Sequence, residues 1–238
     1  KEERNGEYKT EFTKNLKTLI KDFLDETTLE RLIKIGEVSA SLGYNAYLLG
    51  GIVRDMLLRR KNYDVDIVVE GDGIKLVHAI AKLLRVKITE HKKFGTAQLI
   101  FEDGKKIDLA TARIEYYPSP ASLPTVEKGS LKLDLYRRDF TINTLAVKLN
   151  PENFGELIDF FGGVRDLKEG FIRVLHNLSF IEDPTRILRA VRFEVRFNFR
   201  ISKHALYLIK NAVKMNVFEL LSGSRLFTEI ELILKEQE

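Results

Sequence analysis

The segment Asp64-Val65-Asp66 runs directly into the apolar Ile67-Val68-Val69. Side chains at i and i+2 of a strand share a face, so the two carboxylates are expected side by side. Like charges placed that way, with an apolar strand behind them, repel unless a cation lies between them. Two such carboxylates can hold one or two Mg2+ ions, and paired ions clamp both the attacking and the leaving oxygen of a phosphoryl transfer. A solvated strand end is the alternative, because Asp-x-Asp is common there. Upstream, Gly50-Gly51-Ile52-Val53-Arg54-Asp55 follows a strand-like run and opens a helix. Glycines let the backbone approach an anion, a helix start points N–H groups at it, and Arg54 adds a fixed charge. The segment lacks the Gly-Lys-Ser/Thr ending of a P-loop and the third glycine of a dinucleotide fingerprint. A plain strand-to-helix turn therefore competes with phosphate binding.

Three further groups of residues could do chemistry. Asp108 falls on the strand after the turn Glu102-Asp103-Gly104-Lys105, either as a third carboxylate for the same site or as an exposed strand residue. Arg137-Arg138-Asp139-Phe140-Thr141-Ile142-Asn143 sets adjacent arginines ahead of an amide able to read a hydroxyl. A solvated arginine pair and a capping Asn fit the same stretch. In Glu182-Asp183-Pro184-Thr185-Arg186, Asp followed by Pro is a helix start, which makes Asp183 an N-cap candidate. Along the helix that follows, Arg186, Arg189, Arg192 and Arg196 share one broad side, and Leu188, Val191 and Val195 the other. Such a stripe is either an exposed charged face or a surface for phosphates.

These groups need elements to carry them. Helical spacing from Leu16 to Leu42 is interrupted at Asp25-Glu26-Thr27-Thr28, which reads as a new N-cap, so two helices are expected, the second closed by Gly43. Strands are expected at 46–49, 63–69, 86–90, 96–101 and 106–110, and helices at 52–58 and 74–84. Asp103-Gly104 suits a type I′ hairpin turn. Residues 113–132, with Pro118, Pro120 and Pro124, read as a long and partly mobile loop, and residues 1–14 as a frayed start. Helices are expected again at 184–197, 202–215 and 223–235.

With 238 residues the chain is long enough for one large domain or two small ones, and the change from α/β to all-α near residue 174 favours two. A hydrophobic fraction of 44% excludes global disorder. No apolar run approaches the roughly 18 residues of a membrane helix. The absence of Cys excludes a disulfide framework, a thiolate nucleophile and a Cys-based zinc site. A net charge of +4 is slight support for a polyanionic partner. A soluble cytoplasmic protein is expected.

Taken in order, Leu48-Leu49-Gly50-Gly51-Ile52-Val53-Arg54-Asp55, Asp64-Val65-Asp66, the Arg137–Asn143 segment, and Glu182–Arg186 with Arg189 and Arg192 resemble the class II tRNA nucleotidyltransferases. These are the template-independent CCA-adding enzymes and poly(A) polymerases of the polymerase-β superfamily. Asp159-Phe160-Phe161-Gly162-Gly163-Val164-Arg165-Asp166-Leu167 resembles the family's join between head and neck, and Ser224-Arg225-Leu226-Phe227-Thr228-Glu229 its last motif. The resemblance implies an N-terminal helical segment or linker (1–38), a polymerase-β-like head with a mixed sheet (39–174) and a helical neck that recognises the nucleotide base (175–238). It implies Mg2+, in a two-metal arrangement, on Asp64 and Asp66, with Asp108 as a third catalytic carboxylate. Gly50, Gly51 and Arg54 are implied to bind the triphosphate, and Arg138 to sit in the nucleotide pocket with Asn143 near the sugar. Asp183 and Arg186 would hydrogen-bond the base edge, with Arg189 and Arg192 completing the pocket.

The implied reaction is attack of a tRNA 3′-hydroxyl on the α-phosphate of CTP or ATP, with pyrophosphate leaving. Family members extend past the neck, so a head-and-neck fragment is expected. Whether the product is CCA, CC or only the terminal A is not legible, nor is the oligomeric state. A bacterial poly(A) polymerase is the nearest rival, but Lys93-Phe94-Gly95-Thr96 stands where that branch is expected to have Gly-Arg-Arg-Phe. A small-molecule nucleotidyltransferase has less use for the arginine-rich helix. A non-catalytic RNA-binding module has no reason to keep Asp64 and Asp66 together.

Overall fold

The structure, a computed structural model, describes residues 15–116, 119–122 and 125–236. The expected frayed start, Pro118 and Pro124 lie outside the described residues. Helices α1 (Lys17–Phe23) and α2 (Glu26–Ser41) come first. They separate at Asp25, whose carboxylate accepts the Thr28 N–H at 3.0 Å and satisfies a donor that the start of α2 leaves bare. Strand β1 (Asn45–Leu49) leads into α3 (Gly51–Leu57), and β2 (Val65–Glu70) into α4 (Gly73–Ala81). A meander of β3 (Val86–His91), β4 (Thr96–Phe101) and β5 (Lys106–Thr111) follows. Next come β6 (Arg113–Tyr116), β7 (Thr125–Lys128), α5 (Leu131–Tyr136), β8 (Ala146–Lys148) and β9 (Leu157–Ile158). Helix α6 (Gly163–Glu169) precedes the C-terminal helices α7 (Ser179–Glu182), α8 (Thr185–Phe197), α9 (Lys203–Lys214) and α10 (Gly223–Leu234). No helix among the described residues is long and apolar enough to cross a membrane.

The main sheet is mixed, with seven strands in the order β3-β4-β5-β2-β1-β8-β9. β2 and β5 run parallel, while the other neighbours are antiparallel. Strand alternation sorts its two faces. Val65, Ile67 and Val69 pack with Leu32, Ile35, Leu76 and Ile80 from the helices. Val68 joins Tyr47, Leu49, Leu131 and Leu135 on the opposite side. Asp66 shares the face of Val68, away from the main helical layer.

Several local expectations change. The strand expected at 63–69 begins at Val65, leaving Asp64 in the preceding turn. In the hairpin turn Gly104 has a φ of 80° but Asp103 does not join it, and the Gly104 N–H bonds the Phe101 carbonyl at 3.0 Å. This is a type I turn closed by a left-handed glycine, not type I′; the Asp103 carboxylate accepts the Lys105 N–H at 3.1 Å, which suits a right-handed Asp. Residues 113–132 are not one loop. β6 and β7 pair as a ribbon with Arg113 opposite Lys128, because all the prolines of that stretch fall between the two strands.

Residues 17–41 do not behave as a linker. Ile20, Leu32, Ile35 and Val38 belong to the same apolar cluster as Leu48, Ile52 and Val69. Helix α2 packs so closely that a Cβ at Gly36 would stand 1.9 Å from the Leu149 carbonyl oxygen. The cluster continues through Phe180, Ile187, Phe193 and Phe197, so no break in the core accompanies the change to helices near residue 174. Helix α8 is turned over relative to its hydropathy. Val191 and Val195 are 47% and 77% exposed, whereas Arg186 and Arg192 are buried beside Ile187 and Phe193.

Candidate active site

Antiparallel pairing sets Leu48 opposite Ile67. The end of β1, where Gly50 turns into α3, therefore lies beside the start of β2, where Asp64 and Asp66 stand. Parallel pairing brings Asp108 of β5 into register with Asp66. Gln98, opposite Asp108 on β4, donates its amide N–H to Asp108 Oδ1 at 2.9 Å. Gln98, Asp108 and Asp66 thus form a row across three neighbouring strands. Burial lifts the pKa of Asp66 to about 6; Arg138 opposes the rise, and the charges of Asp108 and Asp64 add to it. A carboxylate with surplus negative charge around it is a site that a cation relieves, and oxygen-only donors suit a hard divalent ion. Among the described residues no three Asp, Glu or His side chains are close enough to hold a metal ion by themselves. Mg2+ does not require three, because it usually takes one or two carboxylates and completes its shell with substrate phosphates and water.

Gly50 adopts φ 77° and ψ −134°, a conformation that glycine alone takes without strain. A Cβ there would also lie 3.2 Å from Arg138 Nη1, so this glycine both turns the chain and leaves room for an arginine. Arg138 Nη2 reaches Asp134 Oδ2 at 3.3 Å, while its buried Nε has no partner. Arg54 is more enclosed than the phosphate reading implies. It forms a two-point pair with Asp55 (2.7 and 2.8 Å) and donates from Nη1 to Asn143 Oδ1 at 2.6 Å. Asn143 in turn donates to Asp139 Oδ1 at 2.8 Å, so its amide is engaged at both ends. Asp139 is buried, which pushes its pKa up. The Arg189 charge, hydrogen bonds from Asn143 and Arg189, and the Arg186 charge outweigh that burial and hold the carboxyl below its usual range.

On the opposite wall, Arg186 donates to Ser179 Oγ at 2.8 Å and to the Arg137 carbonyl at 2.7 Å. Asp183 Oδ1 accepts the Thr185 N–H at 3.1 Å, as a helix-start residue would, and also Arg225 Nη2 at 2.8 Å. A cleft of about 560 Å3 gathers Gly50, Gly51, Arg54, Asp66, Arg138, Asn143, Asp183, Arg186 and Arg189 along its walls, a volume within the range of small-ligand sites. Asp64, Asp108 and Arg192 do not line it. Asp64 is exposed just ahead of β2. Asp108 lines a second cavity of about 410 Å3 that shares Asp66, Arg137 and Arg138 with the first. Arg192 pairs instead with Glu229 at 3.5 Å and Glu236 at 3.1 Å.

The arginine stripe of α8 is therefore neither a solvated face nor wholly free for phosphates, since carboxylates of this chain already neutralise much of it. Sequence reasoning assigned no role to Asp55, Asn62, Gln98 or Asp139. The Arg54-Asp55 and Arg138-Asp139 neighbours carried a signal, an acidic residue beside each arginine, but nothing local says which arginine each carboxylate meets.

Residues 46–173 match the poly A polymerase head domain family. The chain is 55% identical over 220 residues to the A-adding tRNA nucleotidyltransferase of Geobacter sulfurreducens, covering 92% of this chain and 25% of that protein. A solved apo structure of a CCA-adding enzyme superposes with a TM-score of 0.90 at 51% identity, over 94% of this chain and 53% of that one. The Thermotoga maritima CCA-adding enzyme complexed with tRNA gives a TM-score of 0.85 at 46% identity, over 94% of this chain and 51% of that one. The chain thus spans between a quarter and about half the length of these relatives. The family match takes in the glycine corner, the carboxylate row and the Arg137–Asn143 segment, and the chain belongs to the poly A polymerase head domain family.

Proposed function

We propose that this chain forms the catalytic head and base-reading neck of a tRNA nucleotidyltransferase. It adds C and/or A residues, all or part of CCA, to the 3′ end of tRNA from CTP or ATP and releases pyrophosphate in the cytoplasm. The head comprises residues 39–174, buttressed by α1 and α2, and the neck residues 175–238. One observation carries this reading. Asp66 stands on the border of two adjoining cavities, one walled by the arginines of the helical side and one by the open sheet face with Asp108. A nucleotidyl transfer needs that layout, with nucleotide on one side of the carboxylates and attacking hydroxyl on the other.

In this reading Asp64 and Asp66 hold Mg2+, with Asp108 beside them on the acceptor side. The bound cation supplies charge neutralisation at the α-phosphate and a more acidic attacking hydroxyl. Arg138, with its buried and unpartnered Nε, takes a phosphate oxygen, and Gly50 leaves the space for it. Arg54 and Asn143 act chiefly as braces, since Asp55 and Asp139 already hold them. Asp183 and Arg186 present an acceptor and donors from a rigid helix start. A base that leaves such buried groups unpaired is penalised, which is how a protein can accept C or A and reject G and U without a template.

The test is incubation with tRNAs ending at the discriminator base, at C or at CC, supplying one nucleotide at a time. Incorporation of C, of A or of both, each at its own stage, is expected. Equal incorporation of all four nucleotides, or none with any acceptor, overturns the reading.

A further inference from the structure

An unbroken series of polar contacts runs from the helical side of the cleft to the start of β2. Glu229 accepts Arg189 at 3.3 Å, and Arg189 reaches Asp139 at 2.6 Å. Asp139 accepts Asn143 at 2.8 Å, Asn143 accepts Arg54 at 2.6 Å, and Arg54 grips Asp55 at 2.7 Å. Asp55 Oδ2 accepts Asn62 Nδ2 at 2.7 Å, and Asn62 Oδ1 accepts the backbone N–H of Asp64 at 2.8 Å. Donors and acceptors alternate correctly along its whole length. Arg54 is further pinned to α8 by its position 4.6 Å from the Phe197 ring.

We propose that Asn62 is a positioning residue that ties Asp64 to the nucleotide cleft, so that cation binding at Asp64 and the arrangement of Asn143 and Arg189 depend on one another. This rests on the proposed function. The physical ground is that the inner links, Arg54, Asp55, Asn143 and Asp139, are buried and have few low-energy arrangements, because opening one of them strands a desolvated charge. The outer contact of Asn62 with the Asp64 N–H is exposed. Asn62 is the last side chain of the series and joins Asp55 to the Asp64 backbone. Its flanking residues Lys61, Tyr63 and Asp64 are all exposed, so little else steadies the turn that presents Asp64. A ligand that shifts Arg189 or Asn143 is thereby felt at the cation, and the coupling is reciprocal.

The test is Mn2+ titration of the chain by calorimetry, with circular dichroism to verify folding of each variant. Asn62→Ala should weaken Mn2+ binding about 10- to 100-fold, the usual cost of losing a residue that orients a ligand. Asn143→Ala, a substitution at the far side of Arg54, should weaken it too. The double variant should be weaker than Asn62→Ala by less than about threefold, because the series is already open. Asn62→Ser keeps an acceptor for the Asp64 N–H and is too short to reach Asp55; it should behave like Asn62→Ala. Wild-type affinity in Asn62→Ser, or independent multiplication of the two alanine effects, overturns the coupling. A wild-type chain that binds no Mn2+ either alone or with CTP or ATP present overturns the metal reading and the coupling together.

Discussion

Asp139 holds Arg189 through one oxygen, Oδ2, which accepts Nε at 2.9 Å and Nη2 at 2.6 Å. The contact joins the segment after α5 to helix α8, and Arg189 continues to Glu229 of α10. This ion pair, together with the bond from Arg186 to the Arg137 carbonyl, fastens the helical wall of the cleft to the sheet side.

Asp139→Asn keeps the volume and removes the charge. Unfolding by urea at neutral pH should show a loss of about 3 kcal/mol, the low end for breaking a buried pair because Arg189 retains some contact with water. The folded pKa of Asp139 lies below its ordinary value, so its contribution is present above the unfolded pKa and lost as pH falls through the folded one. The gap between wild type and variant should hold constant across about pH 6–8 and close only in strong acid.

Asp66 behaves in the opposite sense. Its pKa rises from 3.8 to about 6 on folding, so stability present below the unfolded pKa is lost as pH climbs through the folded one. Without divalent cations, Asp66→Asn should be more stable than wild type by about 2–3 kcal/mol above about pH 7 and no different below about pH 4. Calorimetric melting at the two pH values measures this, and a variant less stable than wild type near neutrality contradicts the assigned environment.

Asp64 and Asp108 are exposed. Alanine at either should change stability by no more than about 0.5 kcal/mol while nucleotide addition in Mg2+ is lost. Full activity in Asp64→Ala would exclude a cation role for that side chain.

Arg186 ties the Ser179 hydroxyl to the Arg137 carbonyl. Arg186→Lys keeps a charge and loses the planar fork. Its discrimination against GTP and UTP, measured as ratios of kcat/KM, should fall by at least about tenfold, with RNA affinity changed far less. Unaltered ratios count against base reading at this position.

Gly36 sits inside α2, where alanine would ordinarily gain about 1 kcal/mol. The Leu149 carbonyl occupies the space a Cβ would need, so Gly36→Ala should instead lose about 1–3 kcal/mol. The sign of that change reports whether α2 is part of the head.

The glycine corner and the C-terminal helices were legible because each rests on local rules, and Asp25 announced the start of α2. Strand alternation applied to Asp66 alone, because β2 starts at Val65 and Asp64 stands ahead of it. The β6–β7 ribbon was not legible, since prolines between Tyr116 and Thr125 gave the whole stretch the look of a loop. Helix α8 misled for another reason. Hydropathy assumes that arginine seeks water, yet Arg186 and Arg192 are buried and Val195 is not.

Residue order alone determined the elements as far as β5 and from α8 onward, and the types of chemical group they carry, because periodicity, caps and turn residues act over a few positions. Only the tertiary structure decided that Asp108 stands beside Asp66, that Asp139 and Glu229 neutralise Arg189, and that Asn62 reaches both Asp55 and Asp64. The first two pairings join segments distant in the chain, and the short-range contacts of Asn62 need the residues after α3 to fold back on Asp55. A buried charge finds its partner through three-dimensional packing, which no local pattern records.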